Sequence, residues 1–578
     1  MYRYRLPLFL LAIIIAHFLY TANLWINYAS PSGDENVHIV SGYLRDKYSD
    51  FTMGAYQPPL TNMIQALPLT FLNIHTPFGH VSWQENNWHV FTDIMIYDAN
   101  DPATVDKIFV WPRWMAVGLT LALAGLIGRW AFKASGWWGA VLALAMFLCE
   151  PNVIAHGASA RIDMGSVAFT MLALFLFQRF LNRPSSARAW ACGLGFGMAM
   201  MTRSYALVLG PIFLLGGLWS LWLSPRQLAL RDWGGTRAGT LLKFLGILSI
   251  SFVLCVLLIY RFEFRPLFDH IPKSEEKLAL LNAAVGNHPA LRQKIHTLLY
   301  TVPIPAKSYW MSWPYIVKTL INPYYKVSYD PHINVHRDRW YCLVNLLRKT
   351  PLGFTGLFML SLALIGTRPK IKKNFTVRLV LGCWSYVFLQ FVLMQNYHGN
   401  NHVLLLYPLT ALLSAVVISL ALAEKPSRRW TLIVIGLALS IPLEAHMVAP
   451  NYLAFYNVAS GGPSEAVWRF TNRDPEVDFS NYADLDWGQN FKHLQALLTE
   501  KKIGQIFVSP EHAENSQRNF AHYQIRYQTM TVAQMQRAPK PGWYFVGLRT
   551  AQVIPVLERT KPTTIVGYST GLYYVDHP

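Results

Sequence analysis

Residues 6–38 read LPLFLLAIIIAHFLYTANLWINYASPSGDENVH. The first part, residues 6–26, is about 20 mostly apolar residues, the length at which a helix crosses a bilayer. The chain then meets two adjacent carboxylates, Asp34 and Glu35, with His38 at i+4 from Asp34. A carboxylate pair at the wet mouth of a membrane helix can take a proton from a hydroxyl or bind a cation. The same residues also suit a helix start. Ser32 or Asp34 is a good N-cap for an amphipathic helix over residues 35–47, and Glu35 favours its positive end. The two readings are compatible.

Working outward, 53% of the 578 residues are hydrophobic, and apolar runs of about 15 to 22 residues recur along the chain. That pattern predicts a polytopic α-helical membrane protein. The first run lacks a small-residue cleavage site and is followed by more spans, so it reads as a retained anchor. A formal charge of +19 would suit nucleic acid, but the basic residues sit in short loops. Arg129 and Lys133, Arg179 to Arg188, Arg226 to Arg237, Arg368 to Arg378 and Lys425 to Arg429 alternate with acidic or mixed loops. This is the positive-inside pattern, and it argues against a nucleic-acid partner. Five cysteines, four of them in or beside apolar runs, form no disulfide or zinc framework.

The expected spans lie near residues 6–26, 109–128, 136–149, 165–181, two within 189–223, 243–260, 352–366, 377–395, 403–423 and 430–447. These make about eleven transmembrane helices, with Arg203 at the turn inside 189–223. Residues 28–108 and 261–350 become long outer loops, and residues 150–163 a shorter one facing Asp34. Residues 60–72 read as an apolar-faced helix along the membrane surface. The membrane domain runs over 1–449. From 450 to 578 helical runs at 464–471 and 488–500 precede β-like stretches at 505–509, 543–548, 564–568 and 572–576, predicting a small extracytoplasmic α/β domain.

Several different short motifs follow one another along the chain. They are Asp34-Glu35 with residues 56–60 (Tyr-Gln-Pro-Pro-Leu), residues 150–157 with Asp163, and residues 349–352 (Lys-Thr-Pro-Leu). Then come residues 402–408, Tyr456-Asn457 with Gly461-Gly462-Pro463, and residues 484–489 (Asp-Leu-Asp-Trp-Gly-Gln). In this the chain resembles the polyprenyl-phosphate-dependent glycosyltransferases of the GT-C fold, the superfamily of protein O-mannosyltransferases and lipid A aminoarabinose transferases. The last motif is similar to one in uncharacterised bacterial members. Gln57 stands where many relatives carry histidine or another polar residue, and His402 where relatives often carry arginine.

The resemblance implies a multi-pass protein of the inner membrane that takes sugar from a polyprenyl-phosphate donor to an extracytoplasmic acceptor. It implies an aspartate base in the first outer loop and leaves a divalent cation open. Such chemistry needs an outward carboxylate and cations for the departing lipid phosphate. Asp34, Glu35 and Asp163 are the candidates for the first. Arg161, Arg203, Arg337, Arg348 and Lys349 are candidates for the second, since guanidinium and ammonium groups suit phosphate. His38, Gln57, His156, His402 and Asp486 are further candidates for substrate contact.

Each has a plainer reading. Arg348 and Lys349, just before a span, suit interfacial anchors. Asp163 suits the cap of a helix starting near residue 164, and Asp486 one after Gly488. His38 and His156 suit buried, hydrogen-bonded roles. A transporter or lipid-linked sugar flippase is the competing function. It would place ionisable groups near the bilayer midplane, where the apolar runs after the first carry almost none.

Overall fold

The computed structural model describes residues 5–54, 57–222, 227–267, 289–313, 341–394, 400–465 and 485–576. Among the described residues six helices are long and apolar enough to cross a membrane. They are Arg5–Tyr28, Pro102–Ser135, Ile162–Asn182, Arg237–Ile259, Phe375–Val392 and Leu406–Glu424. The pair Trp137–Leu148 and Pro151–Gly157, bent by 70°, is apolar enough for a broken span or a re-entrant loop. Pro151 cannot donate to the ladder and Glu150 accepts from the Val153 N–H, so the second helix starts afresh. Residues 151–157, expected as a loop, are therefore helical. At the other stretches expected to span lie the helices Ser186–Met200, Leu209–Trp222, Leu352–Thr367 and Arg428–His446, which are shorter or less apolar than the six.

The apolar surface sorts by partner. Leu406–Glu424 is enclosed by its neighbours, whereas Arg237–Ile259 exposes Leu242, Ile250, Val253, Leu254 and Leu258. Arg428–His446 likewise exposes Leu432, Ile435, Leu439 and Leu443. Rows of bare aliphatic side chains on helices that satisfy their own backbone are what lipid tails cover. Small residues set the closest approach. A Cβ on Gly193 would lie 2.4 Å from the Ser251 hydroxyl, and one on Gly197 2.6 Å from the Cys255 sulfur. This four-residue glycine spacing lets Ser186–Met200 lie directly on Arg237–Ile259.

Two of the basic loops meet. Arg368 and Lys370 pair with Glu424 at 3.7 and 3.3 Å, tying them together. Pro102–Ser135 has 34 residues, a length of about 51 Å at 1.5 Å per residue. A hydrocarbon core is about 30 Å thick, so the helix overshoots it. Its first turns, capped by Asp101, join the Glu35–Tyr48 and Leu60–Ala66 helices in a cap of structure at that end. Residues 60–66 bury Thr61, Asn62 and Gln65 in that cap, and the tips Leu67 and Phe71 are exposed.

A hairpin follows the Arg237–Ile259 helix, with β1 (Phe264–Pro266) antiparallel to β2 (Pro303–Pro305). The C-terminal part is a mixed five-stranded sheet. Its strands are β3 (Ile506–Val508), β4 (Tyr527–Thr529), β5 (Gly542–Gly547), β6 (Thr564–Val566) and β7 (Thr570–Val575), in the order β4-β3-β5-β7-β6. The β3–β4 and β3–β5 pairs are parallel and the other two antiparallel. The Phe491–Glu500 and Pro510–His522 helices bury Phe491, Leu494, Leu498 and Phe520 with Ile506, Val508 and Phe545 of the sheet. The sequence reading lacked β4. The helical run expected at 464–471 lies almost wholly outside the described residues.

Candidate active site

The site begins where the first membrane helix ends. Arg113, near the start of the overshooting helix, reaches across to that exit and is buried. Its Nη1 donates to Ala29 O at 2.7 Å, and its Nη2 to Ser30 O at 2.9 Å. The same guanidinium grips Glu35 with two bonds, Nε to Oε1 at 2.9 Å and Nη2 to Oε2 at 2.8 Å. Glu35 has no exposed surface and also accepts from the Ala160 N–H at 3.0 Å. Burial works to raise its pKa, but the Arg113 charge and bonds prevail and hold it below the usual carboxylate range. Glu35 therefore fastens residues 29–35 to two other elements.

Asp34, its neighbour, points the other way. It occupies the N-cap position of the Glu35–Tyr48 helix, yet its side chain makes no capping bond and is exposed. His38 links it to the other candidates. Asp34, Arg161, Asp163 and Arg203 are the charges that act on His38, which is 6% exposed. Burial pushes His38 down to about 4, against the pull of Asp34, so its ring is neutral at pH 7. Asp163, in the first turn of Ile162–Asn182, is paired with Arg203 and not with its own helix start.

Asp163, Arg203 and His402 line one cleft that opens to the surface. Gln390, Asn401, Ser166 and Thr170 share its polar side, and Val167, Val208, Val387, Phe391 and Leu405 make the rest apolar. A pocket with polar groups at one side of a greasy wall suits a ligand that is itself half polar and half lipid.

Other expected residues fall around this centre. Arg161 is 8% exposed; its Nη2 donates to Ser32 O at 2.9 Å, and its guanidinium stacks 3.9 Å from the Trp487 ring. His156 is buried 5.2 Å from the same ring. Lys349 is fully buried, its ammonium on Leu453 O at 2.8 Å and over the Tyr456 ring. Arg348 is half-buried, and its carbonyl accepts from the Asn457 N–H at 2.8 Å. Gln57 is half-buried before the Leu60–Ala66 helix. Asp486 does not cap a helix directly; it accepts from the Gly488 N–H, the Asn490 amide and the Ser569 hydroxyl, each at 2.8 Å. Arg337 lies outside the described residues. Among the described residues no group of three His, Cys, Asp or Glu is placed to hold a metal ion. Guanidinium groups also flank Asp163, so no step is assigned to a divalent cation.

The sequence reading missed Arg113. The signal was there, a lone charge inside an apolar stretch, where such a residue has a partner or a function.

No protein-family model and no curated protein matches the sequence. Solved structures do. The chain is similar to the oligosaccharyltransferase of Archaeoglobus fulgidus in its apo form, at 12% identity and a TM-score of 0.45, over 96% of this chain and 72% of that one. It is similar to archaeal AglB from the same organism in complex with an inhibitory peptide and a dolichol-phosphate, at 11% identity and a TM-score of 0.46, over 98% and 74%. It is also similar to ArnT from Cupriavidus metallidurans in the apo state, at 10% identity and a TM-score of 0.32, over 99% and 98%. These likenesses run nearly the length of this chain and are loose.

Proposed function

We propose that this protein is a membrane glycosyltransferase that moves a sugar from a polyprenyl phosphate to a hydroxyl of an acceptor, whether protein, lipid or glycan. The observation that carries this reading is the exposed, uncapped Asp34 carboxylate, which acts on the buried His38 together with Asp163 and Arg203 of a cleft that sets Arg203 and His402 beside apolar side chains. In the reaction the acceptor oxygen forms a bond to the anomeric carbon as its proton passes to an Asp34 carboxylate oxygen. The bond from that carbon to the phosphate oxygen breaks, and the lipid phosphate leaves with the electron pair. Arg203, with His402, takes up the growing negative charge, and the polyprenyl chain lies against Val208, Val387, Phe391 and Leu405. Glu35 holds the loop and Asp163 holds Arg203, so neither needs to exchange a proton. Lys349 and Arg348 lie off the cleft wall and serve as scaffold at the neighbouring helix start.

The test uses the full-length protein in lipid nanodiscs with undecaprenyl phosphate as probe. Arg203→Ala is expected to weaken binding by about one to two decades, the worth of a charge-assisted contact. Asp34→Asn keeps shape and is expected to lower product formation by about two to four decades with melting temperature and probe binding unchanged. Product is read by mass spectrometry of envelope lipids, glycans and proteins from cells with and without the gene. Near-normal product from Asp34→Asn would overturn the mechanism.

A further inference from the structure

Residues 486–489 (Asp-Trp-Gly-Gln) stand more than 450 residues after Asp34 in the chain, yet they touch its loop. The Gly33 N–H donates to Trp487 O at 2.9 Å and the Ser30 N–H to Gln489 O at 3.0 Å. The Tyr28 hydroxyl donates to the Asn490 side chain at 2.8 Å, and the Lys492 N–H to the Ser30 hydroxyl at 3.0 Å. These bonds lay the C-terminal segment along residues 28–33.

The side chain of Trp487 adds something the backbone bonds do not. Its ring faces the Arg161 guanidinium at 3.9 Å, and the Nη2 edge of that guanidinium bonds the loop. Arg161 Nη2 donates to Ser32 O at 2.9 Å, and its Nε is buried with no bonding partner. Gly33, at φ +49°, is what lets the two meet, for a Cβ there would sit 2.2 Å from Arg161 Nη2. The order is thus indole, guanidinium, loop backbone, and the next residue on that backbone is Asp34.

We infer that Trp487 is a positioning residue of the active site. By stacking on Arg161 it fixes the height of residues 32–34 and so the place of the Asp34 carboxylate. The C-terminal segment is then part of the catalytic unit, not an accessory to it. This rests on the transfer reading given above. A base must come within about 2.6–3.2 Å of the proton it takes, and a misplacement of about 1 Å costs about 100-fold in rate.

Three variants in the full-length protein test it, Trp487→Ala, Trp487→Phe and Gly33→Ala. Backbone hydrogen exchange over residues 29–38 is expected to quicken at least tenfold in Trp487→Ala and Gly33→Ala, and to stay within threefold of wild type in Trp487→Phe, which keeps a ring face for the cation. Turnover is expected to fall about 100-fold in the first two with undecaprenyl phosphate affinity held within twofold, and less than tenfold in Trp487→Phe. A merely structural tryptophan would instead lower the melting temperature and lose probe binding together, with no rescue by phenylalanine, and that result overturns the proposal. Unchanged exchange over 29–38 in Trp487→Ala overturns it as well. The exchange measurement needs no substrate. A wild-type protein that transfers no sugar therefore counts against the proposed function, and the dependence of the loop on Trp487 is still decided.

Discussion

Adjacent in sequence, Asp34 and Glu35 meet opposite fates because a helix start turns successive side chains to different sides. Glu35 is sealed against Arg113 and Asp34 faces water. Nothing local distinguishes them, since the partner that decides the matter is 78 residues away. The carboxylate pair was therefore legible as a feature, and its division of labour was not. His38 makes the environment measurable. It lies among Asp34, Arg161, Asp163 and Arg203, and burial lowers it from 6.5 to about 4. Between those values the unfolded chain binds more protons than the folded one, so stability rises with pH. The contribution is complete above pH 6.5 and is lost as pH falls towards 4, about 3 kcal/mol in all. Denaturation midpoints in detergent should rise with pH over this range in the wild type, and His38→Gln should lessen the slope. An equal slope in both proteins would mean that His38 is not buried neutral.

Among the elements, the Ser186–Met200 and Arg237–Ile259 helices depend on missing side chains. Gly193→Ala would push a methyl to 2.4 Å from the Ser251 oxygen and is expected to cost about 1–3 kcal/mol by overpacking. Adding Ser251→Gly should recover most of the loss, and a thermal melt of the two variants in detergent checks it. No recovery would refute the direct packing of these helices. Long apolar helices were readable because their length is dictated by the bilayer and not by tertiary contacts. Short elements were not. The three-residue strand β4 carries Tyr527, Gln528 and Thr529, too few for an alternation, and it exists because β3 offers it a parallel edge. Residues 150–163 were expected as an outer loop between two spans, but Pro151 at the first helical position starts the Pro151–Gly157 helix there.

Over the whole molecule, the membrane character and the motif order were visible in the sequence, and the docking of one motif on another was not. Contacts between residues 28–35 and 485–492 join the chain's two extremes, and no periodicity reports on such a pairing. The Arg518 guanidinium adds a second tie, bonded to Asp98 at 2.9 Å, so the C-terminal sheet is fastened to the residues before the second long helix as well. Reporter fusions made after Ser32 and after Gly462 should score on the same side of the membrane, and on the side away from the basic loops. Opposite scores would break the docking. The clasp also has a counting consequence. Two segments that share hydrogen bonds lie in one compartment, so the chain between Tyr28 and Leu485 must cross the bilayer an even number of times. The six long helices taken alone leave five crossings after the first, which is odd. Treating the bent pair as a true crossing restores evenness, and so does the full set of eleven. A clasp of a few backbone bonds thus acts as a parity check on the topology, and any future count of spans that comes out even in total is inconsistent with it.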